Sequence, residues 1–143
     1  MKYLFLVFIT LSLSYSQNLI KNGSYVIDKK LYLSWQDTRE NVNIRHSYDG
    51  ALKYCQDLRL GDYDNWELPS RKQYKTIIDM SRKDELMISR QFKYIMPVDY
   101  WTQDTRWQSL NRYAYYVFFK SGSIYFNNKS HEKFVRCVRK MNK

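Results

Sequence analysis

Apolar residues at alternate positions predict a β-hairpin in the first third of the chain. Leu31, Leu33 and Trp35 share one face, which predicts a strand over Leu31–Trp35. Ser24–Asp28 is predicted as the preceding strand, with a turn at Asp28-Lys29-Lys30. The polar stretch Gln36–His46 that follows predicts a loop.

A helix is predicted after this loop, because a capping residue precedes apolar residues at helical spacing. Ser47 is a good N-cap, and the pattern runs to about Leu60. Gly61 is expected to end this helix in a left-handed conformation. Cys55 falls within the apolar arc and is therefore expected to face the core.

A second helix is predicted to begin at a capping box. Ser70 and Gln73 have the required spacing, and the helix is expected to continue to about Ser81. The next stretch, Asp84–Val98, is too apolar for a solvated loop but lacks a clear period. It predicts irregular, partly buried structure.

The rest of the chain predicts strands, which makes the fold class α+β. Arg112–Lys120 is apolar on both faces, as in a central strand, and Ser121-Gly122-Ser123 predicts a tight turn after it. The expected strands are Tyr100–Thr102, Arg112–Lys120, Ile124–Asn127 and Lys133–Arg139. Two helices packed on antiparallel strands fit one domain over residues 17–143.

The first 16 residues have the pattern of a signal peptide. Lys2 precedes an apolar run that is too short to span a bilayer. Ser14 and Ser16 supply the small residues of a cleavage site, so Gln17 is the expected mature N-terminus. An uncleaved anchor and a buried N-terminal element are the alternatives. Cleavage would give an exported, periplasmic or extracellular protein.

Export changes the interpretation of the two cysteines. An oxidising compartment favours a disulfide between Cys55 and Cys137, and two cysteines alone cannot form a cysteine-rich zinc site. A cysteine nucleophile would need His46 or His131 beside it, and neither histidine lies in a recognisable motif.

The net charge of +10 predicts attraction to anionic polymers or surfaces, although base composition alone could also produce it. The densest basic clusters supply the candidate ligand-binding residues. One cluster lies on the predicted second helix, where it could equally be a solvated face, and comprises Arg71, Lys72, Lys75, Arg82 and Lys83. The other lies in the loop before the central strand and comprises Arg106, Trp107 and Arg112. The remaining tryptophans are expected in the core.

Five short motifs occur along the chain in a fixed order. They are LSWQD (Leu33–Asp37), ALKYCQDLRLGDYDNWELPS (Ala51–Ser70), DYWTQD (Asp99–Asp104), YYVFFKSG (Tyr115–Gly122) and FVRCVRK (Phe134–Lys140). Together they resemble the Lcl C-terminal domain family, a bacterial extracytoplasmic domain. The chain departs from the family pattern at Glu67, where arginine is more usual, and at Gln103.

The resemblance implies a C-type-lectin-like fold in which the N- and C-terminal strands are close together. It also implies that the cysteine of the first helix, Cys55, bonds that of the last strand, Cys137. The collagen-like adhesin that gives the family its name uses this domain to bind sulfated polysaccharides. The calcium-dependent sugar motifs of true C-type lectins do not occur in this sequence, so that activity is not implied.

These observations favour an exported, non-catalytic binding module without a metal or other cofactor. Its expected partner is an anionic polysaccharide or a cell-surface glycan. A structural envelope protein that binds another protein is one alternative. A secreted hydrolase such as a nuclease is the other, with His46 and His131 as its candidate acid and base.

Overall fold

The computed structural model describes residues 18–143, which form ten strands in two five-stranded sheets and three short α-helices. The predicted signal peptide, Met1–Ser16, lies outside the described residues. The strands are β1 (Leu19–Asn22), β2 (Tyr25–Asp28), β3 (Leu33–Gln36), β4 (Arg45–His46), β5 (Trp66–Glu67), β6 (Asp99–Arg106), β7 (Tyr113–Phe118), β8 (Ser123–Asn128), β9 (Lys133–Phe134) and β10 (Val138–Lys140). The helices are α1 (Glu40–Asn43), α2 (Tyr48–Asp57) and α3 (Arg71–Lys75). The α+β class is confirmed, with one more helix than predicted.

Sheet 1 contains both ends of the described chain. Its strand order is β1-β2-β3-β10-β5, so the last strand lies between β3 and β5. The predicted hairpin is confirmed as β2 and β3, which pair with Val26 opposite Trp35. The strand β1 was not predicted. The expectation that the N- and C-terminal strands are adjacent is confirmed by the antiparallel pairing of β3 with β10.

Sheet 2 has the order β4-β9-β6-β7-β8 and carries the predicted central strand. That strand, β7, pairs with β6 on one side and β8 on the other. The predicted turn after it is also confirmed, and Gly122 has a φ of +70° there. A Cβ at this position would lie 2.7 Å from the Met80 sulfur, so the turn requires glycine for two reasons. The strand predicted at Tyr100–Thr102 extends over all of β6.

The prediction of one continuous strand over Lys133–Arg139 is wrong. The segment begins as β9 in sheet 2, crosses at residues 135–137, and continues as β10 in sheet 1. The crossing segment is fully buried, and Arg136 in its middle donates hydrogen bonds to the backbone carbonyls of Gln36 and Tyr94. These bonds hold the chain where it changes sheets.

Both predicted helix starts are confirmed, and both predicted ends are wrong. The Ser47 side chain accepts the Gly50 N–H, and Ser70 and Gln73 form the reciprocal capping box. The first of these helices ends at Asp57, before the predicted Leu60, and α3 ends at Lys75, before Ser81. Gly61 lies in a separate turn, where it has a φ of +64°. The short helix α1 occupies part of the predicted loop.

A disulfide joins Cys55 of α2 to Cys137 of the crossing segment, as predicted. Its Cα atoms are 5.5 Å apart, and both residues are fully buried. Trp66 and Trp101 pack in the cluster around this bond, and Trp35 lies in a second cluster with Tyr74 and Phe119. The core placement expected for these three tryptophans is confirmed.

A buried ion pair joins the crossing segment to the residue that follows β3. Asp37, which follows β3, lies 3.4 Å from the Arg136 guanidinium, and neither side chain is exposed. The carboxylate also accepts the backbone N–H groups of Lys93 and Tyr94 at 3.0 and 2.9 Å, and the Nζ of Lys21. Every lone-pair direction of the buried charge is therefore supplied with a donor.

Burial alone would raise the pKa of Asp37, but Arg136 and the donated hydrogen bonds hold it below its ordinary value of 3.8. A carboxyl whose pKa is lower in the folded state stabilises the fold above its unfolded pKa. We therefore expect the free energy of unfolding to fall as the pH drops below 3.8 and through the lower folded value. Denaturant titrations at stepped pH measure this slope. Equal slopes for the native protein and Asp37→Asn would contradict the assignment.

Candidate functional site

One face of the β6-β7-β8 region carries aromatic and basic side chains in register. Arg106 of β6 lies opposite Tyr113 of β7, and Tyr115 lies opposite Phe126 of β8. Directly opposite residues point to the same side of a sheet, as do residues two apart along a strand. The four side chains therefore share one face.

Two guanidinium groups stack on the rings of this face. The Arg71 guanidinium carbon lies 3.8 Å from the centre of the Tyr115 ring, and that of Arg106 lies 3.9 Å from the centre of the Phe126 ring. The Tyr115 and Phe126 rings are 6.1 Å apart, and Tyr113 lies 6.0 Å from Phe126. We call these five residues, Arg71, Arg106, Tyr113, Tyr115 and Phe126, the aromatic face.

The capping box of α3 sets the position of Arg71. Arg71 is the first residue of that helix, and its backbone N–H donates to the Asp104 carboxylate at 2.6 Å. The Arg71 side chain reaches the same oxygen at 3.4 Å. The Gln103 N–H donates to the Pro69 carbonyl at 2.7 Å, which fixes the helix start against β6. Asp104 therefore orients Arg71 and offsets part of its charge.

Trp107 extends the aromatic face at its end. It begins the short 3₁₀ turn Trp107–Ser109 between β6 and β7, and 76% of its surface is exposed. Leu110 and Asn111 complete the connection with φ values of 52° and 59°, in the left-handed region. Arg112 is exposed in the same loop and donates its Nε–H to the Ser109 carbonyl at 3.4 Å. The loop thus presents a free indole ring and a cation to solvent.

The other basic candidates divide between helix and loop. Lys72 and Lys75 are exposed on α3, whereas Arg82 and Lys83 lie in the following loop because the helix is shorter than predicted. The Arg82 side chain is only 8% exposed, pairs with Asp84, and donates to the Ile88 carbonyl at 3.0 Å. Arg82 therefore holds its own loop together. The basic stripe expected along one long helix is not formed.

The three rings of the aromatic face were not predicted from the sequence. Arg112–Lys120 was predicted as a central strand that is apolar on both faces, but only Ala114 and Val117 of β7 are buried. Tyr113 and Tyr115 are partly exposed. The signal in the sequence was that these two apolar positions are tyrosines, whose hydroxyl groups favour a wet boundary.

The aromatic face has the chemistry for binding a flat or ring-shaped anion. Partly exposed aromatic rings provide a stacking platform, and each guanidinium can donate two parallel hydrogen bonds to a planar or tetrahedral oxyanion. The cysteines offer no competing chemistry, because the disulfide uses both sulfur atoms. Within residues 18–143, no group of three or more His, Cys, Asp or Glu side chains could hold a metal ion.

Comparison with family models gives a match to the Lcl C-terminal domain over residues 24–139. This chain belongs to that family. The match includes both cysteines, both partners of the buried ion pair and the whole aromatic face. A search of the curated proteins found no significant match to the chain.

The fold of this Lcl C-terminal domain shows what two of its motifs do. Gln36 of the WQD motif accepts the Cys137 N–H at 3.1 Å and donates to the Tyr54 hydroxyl at 2.8 Å. Asp37 of the same motif pairs with Arg136 of the VRCVR motif. The two motifs therefore interlock inside the domain, and the aromatic face is a separate surface. None of the helices in the described part of the chain is long and apolar enough to cross a membrane.

Proposed function

We propose that this protein is an exported, non-catalytic module that binds anionic polysaccharide through the aromatic face without a metal ion. The observation that carries the proposal is the alternation of guanidinium groups and rings. Arg71 and Arg106 stack on the neighbouring Tyr115 and Phe126 rings. A sulfated or carboxylated sugar needs both a surface for its ring and donors for its anionic groups.

The charge of the chain supports this partner. The sequence has 24 Lys and Arg residues against 14 Asp and Glu, so the protein attracts polyanions over several ångströms. Stacking on the rings restricts the two arginine side chains before binding, which lowers the entropy that they lose on binding. Trp107 adds a ring beside the basic residues, where a further sugar unit can stack.

A C-type-lectin-like fold is part of the same proposal. Its support is the disulfide from α2 to the segment before the last strand, together with the adjacent terminal strands of sheet 1. Export is supported by the disulfide, since such bonds persist in oxidising compartments. The charged pattern and short apolar run of Met1–Ser16 support a cleaved signal peptide.

Binding to heparin, a sulfated polysaccharide, tests the proposal. We expect the affinity to fall steeply with salt and to be unchanged by calcium chelators, because exposed ion pairs are screened. Each lost ion pair lowers the slope of log affinity against log salt by roughly 0.7–0.9, the values known for nucleic acids. Arg71→Ala with Arg106→Ala is therefore expected to lower that slope by about 1.4–1.8.

The matched control is Arg59→Ala, which also removes one exposed arginine but lies outside the aromatic face. It is expected to leave the slope nearly unchanged. Trp107→Ala is expected to weaken binding with little change in slope, because stacking is less sensitive to salt than ion pairing. Failure to bind heparin at low salt, or loss of binding in a calcium chelator, would contradict the proposal.

A protein partner in the cell envelope is the second candidate. The edge strand β8 favours it, because Tyr125 and Phe126 are 48% and 46% exposed on opposite faces. An uncharged edge strand with exposed rings is suited to pairing with another strand. Unchanged heparin retention in the Arg71 and Arg106 variants, with loss of a protein complex in Tyr125→Lys, would favour this candidate over glycan binding.

A further inference from the structure

A second basic site lies away from the aromatic face, in a cleft of about 350 Å³. Its walls come from the β1–β2 turn, the residues before α1 and the irregular segment before β6. Three cationic side chains from these separate segments line it, namely Lys21, Arg39 and Lys93. Cations from distant parts of the chain repel one another, so their convergence on one cleft favours an anion there.

The carboxylates at this cleft compensate only part of the charge. Asp37 at its base is already matched by Arg136 behind it and by Lys21. Glu40 is the other carboxylate that lines the cleft. Counting Arg136, four cations face two carboxylates, which leaves two positive charges in excess. Arg39 and Lys93 are both exposed and carry this excess charge.

Tyr94 organises these cations. Its ring centre lies 5.1 Å from the Lys93 Nζ and 5.9 Å from the Lys21 Nζ, within the range of cation–π attraction. Hydrogen bonds from Arg39 and then Lys93 to its hydroxyl hold the pKa of Tyr94 below its ordinary value. The tyrosine thus holds the three cations in one cleft before any ligand arrives.

We propose that this cleft binds a single oxyanion group, such as sulfate, phosphate or a sugar carboxylate, through Arg39, Lys93 and the organising Tyr94. The site is independent of the proposed function, because none of its residues belongs to the aromatic face. Arg39 supplies paired N–H donors that match two oxygens of the anion, and Lys93 supplies a point charge. The Ser24 hydroxyl at the rim is a further donor for a third oxygen.

Amide chemical shifts of the intact protein, measured during titration with inorganic sulfate, test the proposal. The parallel arms use inorganic phosphate and glucuronate, with sodium chloride at matched ionic strength as the reference. We expect saturable shifts at Gly23, Ser24, Lys93 and Tyr94 that chloride does not reproduce. Arg39→Ala and Lys93→Ala should each weaken binding about tenfold, as expected for a charge-assisted hydrogen bond.

Lys29→Ala is the matched control, because it removes an exposed lysine outside the cleft. Arg106→Ala should also leave the sulfate-induced shifts at Gly23, Ser24, Lys93 and Tyr94 intact, which separates this site from the aromatic face. Binding of glucuronate alone would identify a sugar carboxylate as the ligand. Equal binding of sulfate and phosphate would show that the charge and shape of the anion are sufficient for recognition at this site. Shifts that chloride reproduces, or that persist in both Arg39→Ala and Lys93→Ala, would overturn the proposal.

Discussion

Asp37→Ala is expected to destabilise the fold by about 3–5 kcal/mol, because it leaves the Arg136 guanidinium buried without its counter-charge. The backbone N–H groups of Lys93 and Tyr94 lose their acceptor in the same step. A domain of this size is stabilised by roughly 5–15 kcal/mol, so the loss is a large fraction of the total. Urea denaturation monitored by tryptophan fluorescence measures it.

Two further variants separate the cost of leaving a buried charge unpaired from the cost of removing a carboxylate. Asp57→Ala removes the exposed partner of Lys53 and should cost only about 0.3–0.5 kcal/mol. Adding Arg136→Met to Asp37→Ala should recover part of the loss, since an apolar side chain replaces the unpaired charge. A cost below about 1 kcal/mol for Asp37→Ala would show that the pair is not buried as described.

Cys55→Ser is expected to cost about 2–5 kcal/mol. The bond that it removes closes a loop with a sequence separation of 82 residues, for which the chain-entropy model gives about 4–5 kcal/mol. The bond also ties α2 to the segment that crosses between the sheets, so its loss frees both elements. Equilibrium unfolding with and without reductant measures the effect in the native sequence.

The control for this prediction compares the stability of the two single cysteine variants with that of the double variant. Cys55→Ser and Cys137→Ser remove the same bond, so the double variant should be no less stable than either single variant. Reductant should leave the double variant unchanged. If reductant does not alter the stability of the native protein either, the bond makes no contribution and the prediction is wrong.

Local signals in the sequence predicted where helices begin. Ser47 and Ser70 cap their helices through side-chain bonds to residues three positions later, so the information is contained in one turn. Cys55 faces the core because it lies on the apolar arc of its own helix. Elements whose geometry depends on near neighbours can thus be predicted from one sequence.

Helix ends depended on contacts that are distant in sequence. Ile77 and Ile78 extend the apolar spacing of α3, which is why a longer helix was predicted. In the structure, the Ile77 carbonyl accepts the Ser89 N–H at 2.9 Å, and the Asp79 N–H donates to the Met87 carbonyl at 3.3 Å. The chain leaves the helix to pair with this later segment, and no local pattern encodes that choice.

The candidate site required tertiary structure as well. The sequence identified Arg71 and Arg106 as members of two basic clusters but could not say whether the clusters meet. They meet because the register of β7 against β8 sets Tyr115 beside Phe126. Strand register depends on pairing across the whole sheet and cannot be obtained from the alternation within one strand.

The position of β10 sets the order in which the domain can fold. Strand β10 lies between β3 and β5 in the sheet, yet it follows both of them along the chain. A ribosome releases the N-terminus first, so β3 and β5 wait without their shared neighbour until Val138–Lys140 emerges. Cys55 likewise has no native partner until Cys137 emerges. Sheet 1 therefore cannot close, and the disulfide cannot form, until the segment from Cys137 to the end of β10 has emerged.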